Sequence, residues 1–244
     1  MNVLSIGNSF SEDAQRYLHT ISQADNNEIY TANLCIGGCP LSLHHKHMLS
    51  QEKAYEYVVN GSYSECECSL GEGIGSRSWD VITIQQVSHQ APYYATFQPY
   101  LNDFVDYIRK KSPESKIVIQ QTWAYEQGSY RLNTELGFSD YKDMLRDIVS
   151  SYDQAQTDVN ADYIIPSGEL MALLIENGVE KVHRDTFHAS LGIGRYAIGL
   201  LWYRFITGRS IKDVDIDTFD ETVSNDEIAI AKICIEELAV KYNR

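Results

Sequence analysis

The 244-residue chain has no apolar run long enough to cross a membrane, and no basic segment followed by an apolar one that would read as an export leader. Basic residues are also scarce. Only 20 Lys and Arg stand against 34 Asp and Glu, a formal net charge of -14 at pH 7. Such a balance argues against nucleic acid or an anionic membrane surface as the main partner. Five cysteines are an odd number, so they cannot all pair within the chain, and Cys66-Glu-Cys68 is spaced too closely for a zinc knuckle. The cysteines are therefore expected to be reduced. Neither an internal repeat nor a linker is visible. With 43% hydrophobic residues to bury, residues 1–244 are expected to form one domain. Met1 leads directly onto the first apolar segment, which suggests a cytoplasmic location; an exported chain whose leader had been removed would read the same.

Short β-type runs alternate with helical spacings along the chain. Strands are expected over the Val3–Ile6 run, Glu28–Leu34, Trp79–Ile84, Lys116–Gln121 and Ala161–Ile165. Between and after them, helices are expected over residues 12–24, 101–108, 139–154, 170–176, 191–207 and 226–242. This alternation calls for a parallel sheet covered on both faces, a three-layer α/β/α sandwich around five strands. Residues 60–78 are rich in Gly, Ser and Glu without periodicity and are expected to be an exposed loop or insertion that shapes one wall of the cleft. Within them, Gly71-Glu-Gly-Ile-Gly75 lacks the preceding strand and following helix that a dinucleotide loop needs.

Two stretches carry chemistry. The first is Gly7-Asn8-Ser9-Phe10-Ser11, which closes the first strand. Ser11 is placed to cap the following helix, and Ser9 stands over the free N–H groups of that helix start, where an oxyanion can be held. The second is Arg184-Asp-Thr-Phe-His188, ahead of an apolar helix. Asp185, three residues before His188, can hold one imidazole nitrogen and leave the other outward as a general base. A serine, a base and an orienting acid are the minimum set for acyl transfer. His44, His45 and His47 invite a metal reading, but no Asp, Glu or Cys set at ligand spacing accompanies them. That cluster is read as a polar helix start near the site, placed to touch substrate. Tyr93, Tyr94 and Phe97, together with Trp123 and Tyr125 after the fourth strand, are candidates for a substrate-binding wall as well as for packing.

These blocks resemble those of the SGNH/GDSL hydrolases. Gly7-Asn8-Ser9 is similar to that family's first block, and Asp185-Thr-Phe-His188 to its last, which supplies both remaining triad members. Asn33-Leu-Cys-Ile-Gly-Gly38 is similar to the second block, whose glycine donates an oxyanion N–H; that glycine aligns with Gly38. The blocks fall in order and span nearly the whole chain. The third block, Gly-x-Asn-Asp, is missing, and Ile84-Gln-Gln-Val-Ser-His-Gln90 stands in its place. Gln85, Gln86, Ser88 or His89 can substitute for the lost asparagine, Gln86 being preferred. The resemblance implies a flavodoxin-like SGNH hydrolase fold of a divergent branch. It also implies an ester hydrolase with Ser9, Asp185 and His188 as triad, an oxyanion hole of Ser9, Gly38 and Gln86 (alternate Gln85), and His89, Trp123 and Tyr125 near the substrate. Neither metal nor organic cofactor is needed for that chemistry. An O-acetylated sugar is the leading substrate by analogy, with a thioester or short lipid ester as the alternative. A catalytically silent carbohydrate-binding module is the reading from a different class.

Overall fold

The structure, a computed structural model, describes all 244 residues. Seven strands form one sheet: β1 (Asn2–Gly7), β2 (Tyr30–Cys35), β3 (Tyr55–Val59), β4 (Ser62–Cys68), β5 (Val81–Ile84), β6 (Lys116–Gln120) and β7 (Tyr163–Ile165). Their order is β4-β3-β2-β1-β5-β6-β7. The five expected strands pair parallel, with Val3 of β1 opposite Thr31 on one side and Val81 on the other. Nine helices accompany them: α1 (Ser9–Gln15), α2 (Leu18–Ala24), α3 (Leu41–Ser50), α4 (Leu70–Gly75), α5 (Tyr100–Lys111), α6 (Tyr141–Val159), α7 (Ser167–Glu176), α8 (Ile193–Thr207) and α9 (Asn225–Lys241). On one face α8 packs against α1, α2 and α9; on the other, α5 packs against α3, α4 and α6. The arrangement is a three-layer α/β/α sandwich. A contiguous core of 65 buried residues runs through it, and α8 is buried at 13 positions from Ile193 to Ile206. An all-round apolar helix needs cover on every side, which α1, α2, α7 and α9 supply.

The sheet has two strands more than the sequence pattern predicts. Residues 55–68 form an antiparallel hairpin added to β2, and only α4 follows it. Its turn is Asn60-Gly61, with φ of 49° and 75° and Val59 paired to Ser62. That is the two-residue turn whose twist suits a hairpin, and Asn-Gly is its strongest sequence signal. β4 hides the signal because its residues are exposed or half-exposed throughout, so no apolar alternation marks the strand.

The order places β1 between β2 and β5, so the chain leaves β1 toward one edge and later returns to its other side. Ligand crevices in open α/β sheets form at this switch, outside the carboxyl ends of the strands. Ser9 follows β1 there, Gly37 and Gly38 follow β2, Gln85 to His89 follow β5, and Trp123 and Tyr125 follow β6.

The helix expected over 12–24 is two helices. α1 begins at Ser9 with Asn8 as its cap, the Asn8 Oδ1 accepting from the Phe10 N–H at 3.0 Å. Ser11 therefore lies inside the helix, its hydroxyl donating to the Asn8 carbonyl and to Asn33 Oδ1. This tight return explains Gly7: a Cβ there would lie 2.6 Å from Ser11 Oγ and 3.1 Å from the Gln85 carboxamide carbon.

The histidines of α3 hold the fold. His44 is buried between Tyr55 and Phe104, with Nδ1 3.0 Å from the Tyr55 hydroxyl. His45 pairs with Asp103 and His47 lies beside Glu52. Burial, assisted by His47, pushes the His44 imidazole down to about 3. Burial likewise pushes His183 down to about 4, although the Ala124 carbonyl opposes it. The unfolded chain, with histidines near about 6.5, takes up these protons first as pH falls. The stability held by the two neutral imidazoles is thus complete above about pH 6.5 and is lost toward pH 4. Urea titrations at pH 7 and pH 5 should show about 1–2 kcal/mol lost for each buried histidine. The His44→Gln variant should lose measurably less between the two pH values; an equal loss would remove His44 from the account.

Candidate active site

Ser9 stands at the first position of α1, where the opening N–H groups of a helix have no intrahelical acceptor. Its Oγ lies 2.8 Å from His188 Nε2, and His188 Nδ1 lies 2.8 Å from Asp185 Oδ2. A carboxylate only accepts, so Nδ1 carries the proton toward Asp185 and Nε2 is left to accept from the serine hydroxyl. The same carboxylate takes the His188 backbone N–H at 2.9 Å through Oδ1, closing the Asp-x-x-His turn on itself. Thr186 sits inside that turn at a φ of 74°. Burial works to raise the Asp185 carboxyl, but the hydrogen bonds from His188 outweigh it and hold the group below the usual carboxylate range. The three residues predicted to meet do meet, across 179 positions of sequence between Ser9 and His188.

Asp13, one turn after Ser9 on α1, sets the approach of the two segments. Its fully buried carboxylate accepts from Arg195 Nε at 2.7 Å, from Arg184 Nη1 at 2.9 and 3.0 Å, and from the Ala189 backbone N–H at 3.0 Å. Arg184 also donates to the Ala189 carbonyl. Arg184 and Ala189 flank the Asp185–His188 turn, and His183 bridges Ala189 to close it as a small loop. Burial pushes the Asp13 carboxyl upward, and the charges and hydrogen bonds of Arg195 and Arg184 oppose that push. In the sequence Asp13 reads only as an acid in a first helical turn; its role is visible only in three dimensions.

A cleft of about 430 Å³ opens beside Ser9 and His188. Asn8, Gly37, Gly38, Ser88, His89, Tyr125, Arg131 and Phe187 contribute to its lining. Gly38 has a φ of 63° in a turn closed by the Cys39 N–H to the Ile36 carbonyl at 3.1 Å, a backbone only glycine adopts readily. Asn8 Nδ2 donates to the Cys39 carbonyl at 3.2 Å and so ties this turn to the serine. A groove of about 450 Å³ between α6, α7 and α9 is as large. It has no serine–histidine pair, so size does not select the site.

Neither glutamine expected in the oxyanion hole is free. Gln86 is buried, its Oε1 accepting from the Leu41 and Val87 N–H groups and its Nε2 donating to Thr96. It braces the start of α3 to the chain after β5. Gln85 Nε2 donates to Asn8 Oδ1 at 2.6 Å, which fixes the cap beneath Ser9. Neither residue lines the cleft, whereas Ser88 and His89 do. Trp123 is also a correction: fully buried, it stacks on Phe10 at 4.1 Å and donates to the Phe187 carbonyl at 2.7 Å. It is a floor beneath Ser9 and His188 rather than a substrate contact. Tyr125 does reach the cleft, its hydroxyl 2.9 Å from Ser88 Oγ. Tyr93, Tyr94 and Phe97 pack elsewhere. The residues that the sequence reading missed are Arg131 and Phe187, neither of which lies at a motif's chemical position.

Residues 2–237 match the model of a family described as a domain of unknown function, DUF4886, and the chain belongs to that family. A DUF4886 family protein from Bacteroides uniformis, known from a crystal structure, is similar with a TM-score of 0.92 and 28% identity, over 100% of this chain and 95% of that one. A proposed SGNH hydrolase from Slackia heliotrinireducens matches with a TM-score of 0.60 and 18% identity, over 84% and 98% of the two chains. A family 3 carbohydrate esterase from Clostridium thermocellum matches with a TM-score of 0.51 and 11% identity, over 84% and 94%. The fold is that of the SGNH hydrolases. No curated protein matches the chain.

Removing Asp13 would strip Arg184 of its carboxylate and leave Arg195 only Asp220 at 3.1 Å and Glu12 at 4.0 Å. Breaking a buried pair in this way typically costs about 3–5 kcal/mol. Asp13→Ala should therefore lower the unfolding free energy by about that much, read by denaturant titration at pH 7. A variant as stable as the parent would show that the network is not holding the two segments together.

Proposed function

We propose that this DUF4886 member is a serine esterase, with Ser9 as nucleophile, His188 as general base and acid, and Asp185 as orienting carboxylate. The observation that carries the reading is the unbroken contact from Asp185 through His188 to Ser9 at the wall of an open cleft. His188 Nε2 takes the hydroxyl proton as Ser9 Oγ attacks the ester carbonyl. The carbonyl oxygen becomes an oxyanion beside the Ser9 and Gly38 backbone N–H groups. The tetrahedral adduct then collapses: the C–O bond to the alcohol breaks, His188 returns the proton to the departing oxygen, and the acyl group stays on Ser9. Water, deprotonated by His188, attacks the acyl-enzyme and frees the acid. Each donor at such an oxyanion is worth about 2.7–4 kcal/mol. Gln85 and Gln86 are committed elsewhere, so two backbone N–H groups are the donors this reading uses.

The leading substrate is an O-acetylated sugar. A cleft of about 430 Å³ lined by the Ser88 and Tyr125 hydroxyls and by His89 suits a sugar ring better than a long acyl chain. The fold shared with a carbohydrate esterase agrees with this.

With p-nitrophenyl acetate, Ser9→Ala and His188→Ala should each lower kcat/KM by about 10³-fold or more, and Asp185→Asn should also be impaired. Equal rates in parent and variants would mean background reactivity and would end the triad assignment. Absence of turnover together with binding of acetylated sugars would favour a silent binding module.

A further inference from the structure

Arg131 is the unusual cation of this molecule. It opens a single π-helical turn, Arg131–Glu135, at the rim of the cleft that holds Ser9. Its guanidinium lies 4.0 Å from the centre of the Phe187 ring, and Phe187 in turn lies 3.9 Å from the His188 ring. The other arginines, Arg77 apart, are committed to carboxylates or to backbone carbonyls: Arg184 and Arg195 to Asp13, Arg16 to Asp220, Arg204 to Glu236 and Arg209 to Asp25. Arg131 has no ion pair, although acids outnumber bases by 34 to 20 in this chain, and its polar side-chain partner inside the cleft is the Tyr125 hydroxyl. Its position is nevertheless defined, because the aromatic face fixes the plane of the guanidinium. Its charge is felt inside the cleft: burial raises the Tyr125 phenol and lowers the His89 imidazole, and Arg131 works against the first shift and with the second.

We propose that Arg131 is the binding site for a carboxylate on the substrate, so that the esters taken by this cleft are those of acidic sugars or similar carboxylate-bearing alcohols. The inference rests on the esterase reading above and narrows it. A guanidinium offers paired parallel donors that match a carboxylate edge to edge. One cation suits a monoanion. A phosphate dianion would call for a second positive group, and the nearest candidate, His89, is held toward its neutral form by burial and by Arg131 itself. Glu135, four residues on, acts on His89 and Tyr125 with the opposite sign but makes no ion pair with Arg131, whose donors not turned to Tyr125 stay open to a ligand. Phe187 then plays a double part, packing against the general base on one side and carrying the anion receptor on the other.

The test uses two probes that differ in one group: a methyl glucuronide acetylated on its ring hydroxyls, and methyl glucoside acetylated at the same positions. In the parent, kcat/KM should favour the glucuronide by roughly 10- to 100-fold, the worth of one hydrogen-bonded charge pair. Arg131→Gln should reduce that ratio to near one, Arg131→Lys should keep part of it, and added salt should erode it. Calorimetric binding of both probes to Ser9→Ala, with and without Arg131→Gln, reads the same preference without turnover. A carboxylate preference in Ser9→Ala that Arg131→Gln removes upholds the proposal even if the parent hydrolyses nothing, in which case the esterase reading alone falls. Equal binding of the two probes, or a preference that survives Arg131→Gln, overturns the proposal, even if both esters are hydrolysed.

Discussion

The buried carboxylate of Asp13 is the constraint on which the site depends. Ser9 and His188 are brought together from opposite ends of the chain, and neither α1 nor the Asp185–His188 turn is long enough to fix their separation alone. Asp13 supplies the missing rigidity. It holds Arg195 of α8, the Arg184 side chain and the Ala189 backbone at once. The desolvation of so buried an ion is severe, and two guanidiniums and a backbone N–H are needed to offset it. The network thereby gives the two segments one fixed approach. The serine–imidazole contact of 2.8 Å depends on that position.

The sheet makes this economy possible. Because β1 lies at the reversal of strand order, the ends of β1, β2, β5 and β6 all open on one crevice. The residues behind the site act in relay. Gln85 fixes Asn8, Asn8 caps α1 under Ser9 and holds the Gly38 turn, and Trp123 holds Phe10 and the Phe187 carbonyl. Apart from the Trp123–Phe10 stack, each of these contacts joins a side chain to a backbone group or to the cap residue. The contacts thus fix the start of α1, the Gly38 turn and the Phe187 backbone relative to one another.

Much of this was legible in the chain. The Val3–Ile6 run closed by Gly7, the Asp185-x-x-His188 spacing and the apolar run of α8 each carry local patterns that tertiary packing only confirms. The parallel strands were found because strands buried on both faces are apolar at nearly every position. The hairpin Tyr55–Cys68 leaves little trace in the sequence because an exposed edge strand has no need of apolar alternation, although Asn60-Gly61 marks its turn. Gln86 was misplaced for a different reason: a carboxamide near a strand end is equally able to serve a ligand or a neighbouring backbone, and only the Leu41 and Thr96 groups decide. Trp123 illustrates the same ambiguity. Arg131 and Asp13 were invisible because their meaning lies in what surrounds them, an unanswered cation over a ring in one case and an over-answered anion in the other.

The sheet ends unevenly. β7 is three residues long and gives little backbone for another chain to join, whereas β4 presents seven residues along an open edge. A bare edge of that length would be a template for pairing between copies. Here the exposed residues of β4 include Glu65 and Glu67, so two copies meeting edge to edge would bring four carboxylates into register with no arginine or lysine of either strand to answer them. The hairpin that widens the sheet thus carries, in Glu65 and Glu67, charges that oppose its extension by a second copy.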